Sequence, residues 1–318
     1  MRASPKTCAS GRLRPTCPAR HVPWTSGQAR WTWLAAALAL LPACDRPPPA
    51  ADPGPARRVL SQTVLSDEIL WDLGPDARAR VVGVSVMADD PRYSRVVGLW
   101  PPEVPRLAAT TEGLLARAPE LAVIASFTAP ETRALLTAQG VRLLEFASFV
   151  SFADYRRHVR ALAGAVEAAP AGEALIADLD RRLAALAARR PADPPTVVSW
   201  GDGYAATGAT SFADIARAAG LINLPEREGL SGHVPVAMER LLAWDPALIV
   251  IACPATAPDD PACPAAEAAF VASAGVSATQ AARDAGVVAV PARDLGSTGE
   301  GMLRTAELLQ TRALARVR

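Results

Sequence analysis

Two segments of the chain share one pattern of hydrophobic and polar positions. Residues 111–125 (TEGLLARAPELAVIA) and 238–252 (MERLLAWDPALIVIA) agree at nine of fifteen positions when aligned without a gap. In each segment a short apolar-periodic helix is ended by a proline, which cannot continue it. A continuous apolar run follows, as expected of a strand buried on both faces of a parallel sheet. The repeat predicts two similar α/β lobes, and a chance match between two Ala/Leu-rich units is the alternative.

Strand and helix patterns alternate along the rest of the chain, which predicts parallel sheets covered by helices. Residues 171–190 have apolar residues three or four positions apart, which indicates one long amphipathic helix. We therefore expect an α/β fold of two Rossmann-like lobes, each with a central parallel sheet, joined by one long α-helix. The N-terminal lobe is assigned to 58–167, the connecting helix and linker to 168–194, and the C-terminal lobe to 195–318. A single helical connector predicts only modest hinge closure.

The N-terminus has the composition of a targeting segment. Residues 1–43 contain six basic and no acidic residues and end in a thirteen-residue apolar run, 31–43. Such a run is too short to span a bilayer and suits a signal-peptide core. It ends in LPAC (41–44), which resembles a bacterial lipobox and predicts a lipoprotein signal peptide over 1–43 with lipid attachment at Cys44. An uncleaved anchor helix, or a plain secretory signal cut near Ala43, is the alternative.

Residues 44–57 are rich in proline and lack apolar periodicity, so they are interpreted as a tether. Asp45 resembles an inner-membrane retention signal. We therefore expect a periplasmic protein held by its lipid to the outer leaflet of the inner membrane.

Charge and cysteine usage narrow the class further. Without residues 1–43 the chain has 27 basic and 32 acidic residues, a net charge of −5, which disfavours a nucleic-acid partner. Cys253 and Cys263 lie in a Pro-rich segment after the second repeat and predict a disulfide, as is usual outside the cytoplasm. A metal site is the competing interpretation, but no histidine lies near them in sequence, and no metal site is expected.

Several segments in a fixed order carry a family resemblance. They are RVLS (58–61), EIL (68–70), VVGVS (81–85), the repeat with Glu112, the long helix, and the second repeat with Glu239. Over residues 58–318 the chain resembles the substrate-binding proteins of ABC importers that have a helical backbone between two lobes and serve cobalamin, ferric siderophores or haem. The resemblance implies a monomeric, non-enzymatic receptor that binds its ligand between the lobes and delivers it to a permease dimer with ATPase subunits. It also implies that Glu112 and Glu239 contact the permease; the plain alternative is an acid favouring a helix dipole.

The ligand cleft is expected where the parallel strands end and the loops after them begin. Aromatic residues gather at these positions, as a flat or macrocyclic ligand requires. The WGDGY segment (200–204) and the loop tryptophan resemble the cobalamin branch, which favours a corrinoid over a siderophore or haem. No cofactor is expected beyond such a metal-containing ligand, to which His233 contributes a hydrogen bond or a metal bond. The candidate ligand residues are Gln62, Thr63, Tyr93, Trp100, Trp200, Asp202, Tyr204, His233 and Asp294.

Two other classes of function fit the sequence less well. An exported hydrolase would need a nucleophile motif, and the chain has no Gly-x-Ser-x-Gly elbow. A lipoprotein that docks a partner without binding a small ligand is the third possibility considered.

Overall fold

The first sheet is parallel throughout and follows directly from the buried apolar runs. The computed structural model describes residues 54–108, 113, 115–256 and 260–316. Within them the first sheet has the strand order β3-β2-β1-β4-β5. Its central strand is short, and its neighbours pair with it in parallel, Val59 lying opposite both Val81 and Leu121. The strands are β1 (Val59–Ser61), β2 (Val81–Ser85), β3 (Arg106–Leu107), β4 (Leu121–Ala125) and β5 (Arg142–Phe146).

Helices with clear sequence signals cover this sheet. The helix α1 begins after Thr63, whose hydroxyl accepts a hydrogen bond from the Ser66 amide while Ser66 reaches back to the Thr63 amide, forming a capping box. Residues 86–105 between β2 and β3 form a long loop, as predicted, with one 3₁₀ turn at Val86–Asp89. We call residues 86–105 the cleft loop. The helices are α1 (Val64–Asp72), α2 (Pro75–Arg78), α3 (Pro130–Ala138) and α4 (Phe152–Ala165).

The predicted connecting helix is α5 (Ala169–Ala188), twenty residues long. It packs closely on α4 at Gly172, where a Cβ atom would lie 2.6 Å from the Cβ of Ala163. It also pairs with the last helix, since Arg182 bonds Glu307 at 2.7 Å. The connector is therefore packed on both lobes.

The second sheet is mixed, which differs from the parallel sheet that the sequence predicted. Its order is β11-β10-β6-β7-β9, with β8 also pairing β6. The strand β7 runs antiparallel to β6 because Asp202 and Gly203 have φ of 51° and 79°. Two successive left-handed residues close a tight hairpin. The strands are β6 (Thr196–Gly201), β7 (Tyr204–Ala206), β8 (Ile222–Asn223), β9 (His233–Pro235), β10 (Leu248–Cys253) and β11 (Val287–Pro291).

One helix of the C-terminal lobe, α6, has a clear local sequence signal at each of its ends. The helix α6 begins after Thr210, whose hydroxyl accepts from the Ala213 amide, and ends at Gly220, which is left-handed with φ of 76°. The helices are α6 (Ser211–Ala219), α7 (Leu224–Arg227), α8 (Met238–Trp244), α9 (Ala262–Val271), α10 (Gln280–Arg283), α11 (Ala292–Leu295) and α12 (Glu300–Ala315).

Candidate functional site

The two sheets present the ends of their parallel strands to one cleft between the lobes. Gln62 follows β1, Phe149 follows β5, and Ala292 follows β11, and all three line the cleft. The cleft contains two adjoining cavities of about 350 and 570 Å³. The residues lining both cavities are Phe149, Ala292, Gly296 and Thr298. The site therefore lies where the strand-end rule places ligands in open α/β sheets.

Six of the nine candidate ligand residues are brought together in this cleft. Gln62, Thr63 and Tyr93 line the first cavity. The residues at the second cavity are Trp200, Tyr204 and His233. Their position is what the sequence predicted, and their contact with a ligand stays a prediction.

The assignment of Trp100 to the ligand cleft is corrected by the structure, because this residue lies in the core. Its side chain is 2% exposed and packs edge-on against Trp71, with ring centroids 5.3 Å apart. In the described part of the chain its indole nitrogen has no hydrogen-bond partner. Trp100 therefore packs the cleft loop against α1.

Asp294 and Asp202 also lie outside the cleft lining. Asp294 is buried and accepts a hydrogen bond from Arg304 at 2.5 Å, so its carboxylate is neutralised within the C-terminal lobe. Asp202 is exposed at the turn between β6 and β7. Its left-handed backbone accounts for an aspartate at this position without a ligand.

The structure adds residues to the cleft that the candidate set lacks. Met87, Phe149 and Arg293 follow strand ends, so the strand-end rule applied to every strand finds them, as it finds Phe127 after β4. Glu68 also lines the first cavity, although it lies one turn inside α1. Its position depends on how α1 is tilted across the sheet, which the sequence does not show.

An aromatic cluster forms the N-terminal wall of the cleft. Phe127 is 80% exposed, and its ring lies 5.9 Å from that of Phe149. Behind them Phe146 stacks on His158 with centroids 4.0 Å apart. His158 bonds the Ser148 carbonyl at 2.7 Å, and burial lowers its pKa, so this histidine is a packing residue. An exposed phenyl pair on a rigid base is a surface that a flat apolar ligand face can cover.

Unpaired polar atoms mark the floor of the first cavity. Among the described residues, neither side-chain amide atom of Gln62 has a hydrogen-bond partner, and the same holds for Nε of Arg293. The Arg293 guanidinium is held from the other side, where it donates to the Thr256 carbonyl. Buried polar groups without partners are rare in folded proteins, and these atoms belong to residues that line the first cavity.

Three acids on α1, Asp67, Glu68 and Asp72, have raised pKa values, and Glu68 is the one that reaches the cavity. Burial raises the pKa of Glu68 to about 7, against the opposing effect of Arg95. Burial also raises the pKa of Asp67 to about 8, although Ser61 and Ser85 hydrogen bonds oppose it. Asp67 does not line the cleft, so its protonation is expected to affect the stability of the fold and not the binding of a ligand.

The remaining predicted sites are placed as follows. Cys253 and Cys263 form a disulfide with Cα atoms 5.2 Å apart, although Cys263 lies in the first turn of α9 and not in a loop. Glu239 is exposed in the first turn of α8. Cys44 and Glu112 lie outside the described residues. Within the described ranges, no three His, Cys, Asp or Glu side chains stand together as a metal site, and no helix is long and apolar enough to cross a bilayer.

The sequence and the fold are similar to those of periplasmic binding proteins. The model of the periplasmic binding protein family (Peripla_BP_2) matches residues 60–293. The periplasmic haem-binding protein BhuT, solved with two haems, is similar at 26% identity, with a TM-score of 0.66 over 83% of this chain and 100% of BhuT. A periplasmic haem-binding protein from Pseudomonas aeruginosa is 25% identical, with a TM-score of 0.63 over 80% of this chain and 92% of that one. The vitamin B12-binding protein BtuF of Vibrio cholerae is 18% identical, with a TM-score of 0.64 over 83% and 99%, and shows the fold alone. No curated protein matches the sequence.

The chain belongs to the periplasmic binding protein family. The sequence-based assignment to two-lobed substrate-binding proteins of the ABC-importer type is thereby confirmed, as is the α/β fold class. This family comprises substrate-binding transport components and is not a family of enzymes.

Proposed function

We propose that this protein is an extracytoplasmic receptor that captures a flat metal macrocycle in the inter-lobe cleft and delivers it to an ABC permease. The observation that carries the proposal is the composition of the cleft. Exposed aromatic rings from both lobes line the cleft together with side chains of the types that bind metals. Haem is the ligand that this cleft fits first, and a corrinoid is the second candidate.

Side chains of the types that ligate iron in haem proteins stand on both walls. Tyrosine, histidine and methionine are the recurrent axial ligands of haem iron. Tyr93 and Met87 line the first cavity and are 48% and 39% exposed. Tyr204 and His233 line the second cavity, and Tyr204 is 52% exposed. A metal at the centre of a flat ligand therefore has donors available from either lobe.

Charge separates haem from a corrinoid. Haem carries two carboxylates, whereas the side arms of cobalamin are mainly amides. Arg293 brings a guanidinium to the first cavity with one nitrogen free for a carboxylate, and guanidinium–carboxylate bonds are the stronger kind. BhuT and the Pseudomonas aeruginosa protein, at 26% and 25% identity, are both described as haem-binding, which also favours haem over a corrinoid. The larger second cavity, about 570 Å³ beside Trp200, is what favours a corrinoid as the alternative.

Tryptophan fluorescence tests the proposed ligand class, because Trp200 lines the second cavity. The protein is titrated with haemin, cyanocobalamin and a ferric triscatecholate siderophore. We expect saturable quenching with haemin at the lowest concentration. Saturation by cyanocobalamin alone would make the corrinoid the ligand, and no saturation by any of the three would contradict the proposal.

Replacing Arg293 with glutamine is expected to weaken haemin binding by about tenfold, because one charge-assisted carboxylate bond is lost. The binding of haemin dimethyl ester, which has no carboxylates, is expected to change by less than about twofold. The matched control is Arg312→Gln, since Arg312 pairs with Glu267 away from the cleft at 3.1 Å. Both ligands losing affinity equally would show that Arg293 supports the fold of the cleft and does not bind a carboxylate.

The N-terminal segment supports a location for this receptor. We include in the proposal that residues 1–43 are removed as a signal peptide and that Cys44 carries the lipid. The Pro-rich tether 44–57 then lets the folded lobes stand off the membrane. Labelling with radioactive palmitate tests this, with Cys44→Ser expected to abolish the label.

Permease docking through Glu112 and Glu239 remains part of the proposal. A two-fold permease dimer presents the same surface twice, so a receptor with two similar lobes can meet it with a matching acid on each lobe. The exposure of Glu239 in the first turn of α8 supports this for the C-terminal lobe.

Reversing both charges, Glu112→Lys with Glu239→Lys, is expected to weaken binding to the permease by at least about tenfold and to leave haemin affinity unchanged. A double reversal of two other exposed acids, Glu131→Lys with Asp193→Lys, makes the same change in net charge. Equal weakening by both double variants in a permease pull-down would reduce the effect to net charge and contradict specific docking.

A further inference from the structure

The cleft loop supplies one wall of the first cavity but has little regular structure of its own. Met87 and Tyr93 line that cavity from this loop. Between β2 and β3 the loop has a single 3₁₀ turn, and Val86, Val97 and Leu99 are exposed along it. A wall built this way keeps its position only if the loop is fixed at particular points.

One of those fixed points is an arginine that bridges three acids. Arg95 is only 17% exposed and lies between Ser94 and Val96, both fully buried. On α1, its backbone amide donates to Oε1 of Glu68 at 3.1 Å, its Nε lies 3.5 Å from Oε2 of Glu68, and its guanidinium bonds Asp72. Glu68 and Asp72 are four residues apart and lie on the same face of α1.

The third acid belongs to the other lobe. Nε of Arg95 lies 3.7 Å from Oε2 of Glu300, the first residue of α12. Glu300 is itself held by Arg304 at 3.1 Å and by Arg182 of the connecting helix at 3.3 Å. Arg95 therefore joins the cleft loop to a helix of each lobe and, through Glu300, to the connector.

We propose that Arg95 is a positioning residue of the ligand site: its guanidinium fixes the cleft loop against α1 and α12, so that Met87 and Tyr93 stay in place as a wall of the first cavity. This inference rests on the proposed function for the identity of the ligand but not for the role of the loop. Arg95 does not line either cavity, so it acts on the ligand only through the residues that it holds.

The geometry explains why arginine occupies this position. A guanidinium has five N–H donors in a planar fork, whereas a lysine ammonium is a point charge with three donors. Three carboxylates approaching from two helices can be met by the fork simultaneously. Removing the charge would remove the ion pairs of Glu68 and Asp72 with the loop, so the loop would lose these attachments to α1.

The test compares Arg95→Met, which keeps the length of the side chain, with Arg95→Lys, which keeps the charge. Haemin affinity is measured well below the unfolding temperature of each variant. We expect Arg95→Met to bind haemin about tenfold more weakly, and Arg95→Lys, which keeps the charge but loses the planar fork, to fall between Arg95→Met and the parent protein. Amide hydrogen exchange in the ligand-free protein is expected to accelerate within residues 86–100 and to stay unchanged in β4 and β10.

The matched control is Arg92→Met in the same loop. Arg92 is 70% exposed, and its two charged contacts, the ion pair with Asp90 at 2.6 Å and the position over the Tyr93 ring at 5.2 Å, lie within its own loop, so it fixes the loop to neither helix. We expect this variant to keep its haemin affinity within about twofold. A second variant, Glu300→Gln, leaves the contacts of Arg95 with α1 in place while removing its ion pair with α12, together with the ion pairs of Glu300 with Arg304 and Arg182. It is expected to speed exchange in the loop less than Arg95→Met does.

Each outcome decides the matter. If Arg95→Met is folded and keeps both its haemin affinity and its slow exchange in the loop, the inference is wrong. If exchange accelerates throughout the protein, Arg95 stabilises the fold as a whole and is not a positioning residue. If the parent protein binds no haemin, the proposed function fails for haem, and local acceleration at residues 86–100 still supports the anchoring role of Arg95.

Discussion

Replacing Trp100 with alanine lowers the free energy of unfolding by about 3–5 kcal/mol, the range found when a large buried aromatic side chain is removed. Trp100 is 2% exposed and packs against Trp71 with ring centroids 5.3 Å apart. The alanine variant leaves a cavity between the cleft loop and α1, so urea unfolding is the measurement. Haemin affinity, measured where the variant is still folded, is expected to fall less than stability does.

Trp100→Phe is the matched control for this prediction. The indole nitrogen has no partner among the described residues, so phenylalanine forfeits no hydrogen bond and leaves a smaller void. We expect Trp100→Phe to lower the free energy of unfolding by less than half as much as Trp100→Ala does. If Trp100→Ala were stable and bound haemin poorly, Trp100 would belong to the ligand site, as the sequence pattern suggested.

Replacing Asp67 with asparagine flattens the dependence of stability on pH between about 4 and 8. Asp67 is fully buried, and burial raises its pKa from an ordinary value of 3.8 to about 8. The folded state therefore binds this proton more tightly than the unfolded state, so its contribution to stability is greatest at acid pH. That contribution is lost as pH rises from the unfolded pKa to the folded one.

Asparagine removes this loss because it never ionises. Its amide can keep two contacts, with Oγ and the backbone amide of Ser85, which now bond the two carboxylate oxygens at 2.5 and 3.3 Å. At pH 9 we expect the free energy of unfolding of the variant to be higher than that of the parent protein by more than about 1.4 kcal/mol, the equivalent of one pK unit. Denaturant unfolding across the pH range is the measurement, and Glu68 leaves a smaller slope of the same sign in both proteins.

Asp154→Asn provides a control of opposite sign. Burial would raise the pKa of Asp154, but hydrogen bonds from Ser148, Val150 and Ser151 outweigh it and lower the pKa. Its carboxylate therefore stabilises the fold at neutral pH, and that contribution disappears in acid. Asparagine at 154 should destabilise most at pH 7, whereas asparagine at 67 should stabilise most at pH 9. Parallel pH profiles for the two variants would contradict both assignments.

Sequence patterns predicted the elements whose signals are local. The strand β4 is a run of five buried residues that the repeat identified. The helix α6 has local signals at both ends, since Thr210 caps it and Gly220 ends it. Both signals act within a few residues, so no tertiary contact is needed to interpret them.

The hairpin of the second sheet was missed although its signal is present. Asp202–Gly203 between two short β-prone runs favours a two-residue turn, and the structure has that turn. The mixed sheet follows from this one turn.

Burial by distant elements explains the other differences. Trp100 and Tyr93 lie in the same loop with similar surroundings in sequence, yet one is buried and the other is 48% exposed. The difference arises because Trp71 of α1 packs on Trp100, a contact between residues 29 positions apart. The ionic cluster around Arg95 likewise joins residues 68, 72, 95 and 300, which no local pattern connects.

Blocking the cleft tests the central claim most directly. Ala292 lines both cavities and begins α11 outside the regular strands, so a tryptophan there fills the shared part of the cleft. Haemin is titrated into the parent protein, Ala292→Trp and the control Ala292→Ser, and the Soret absorption is followed. The account predicts a saturable Soret shift with a Kd of about 1 μM or lower in the parent and control proteins, weakened at least about tenfold by tryptophan. Equal haemin binding by all three proteins would contradict a ligand site between the two lobes.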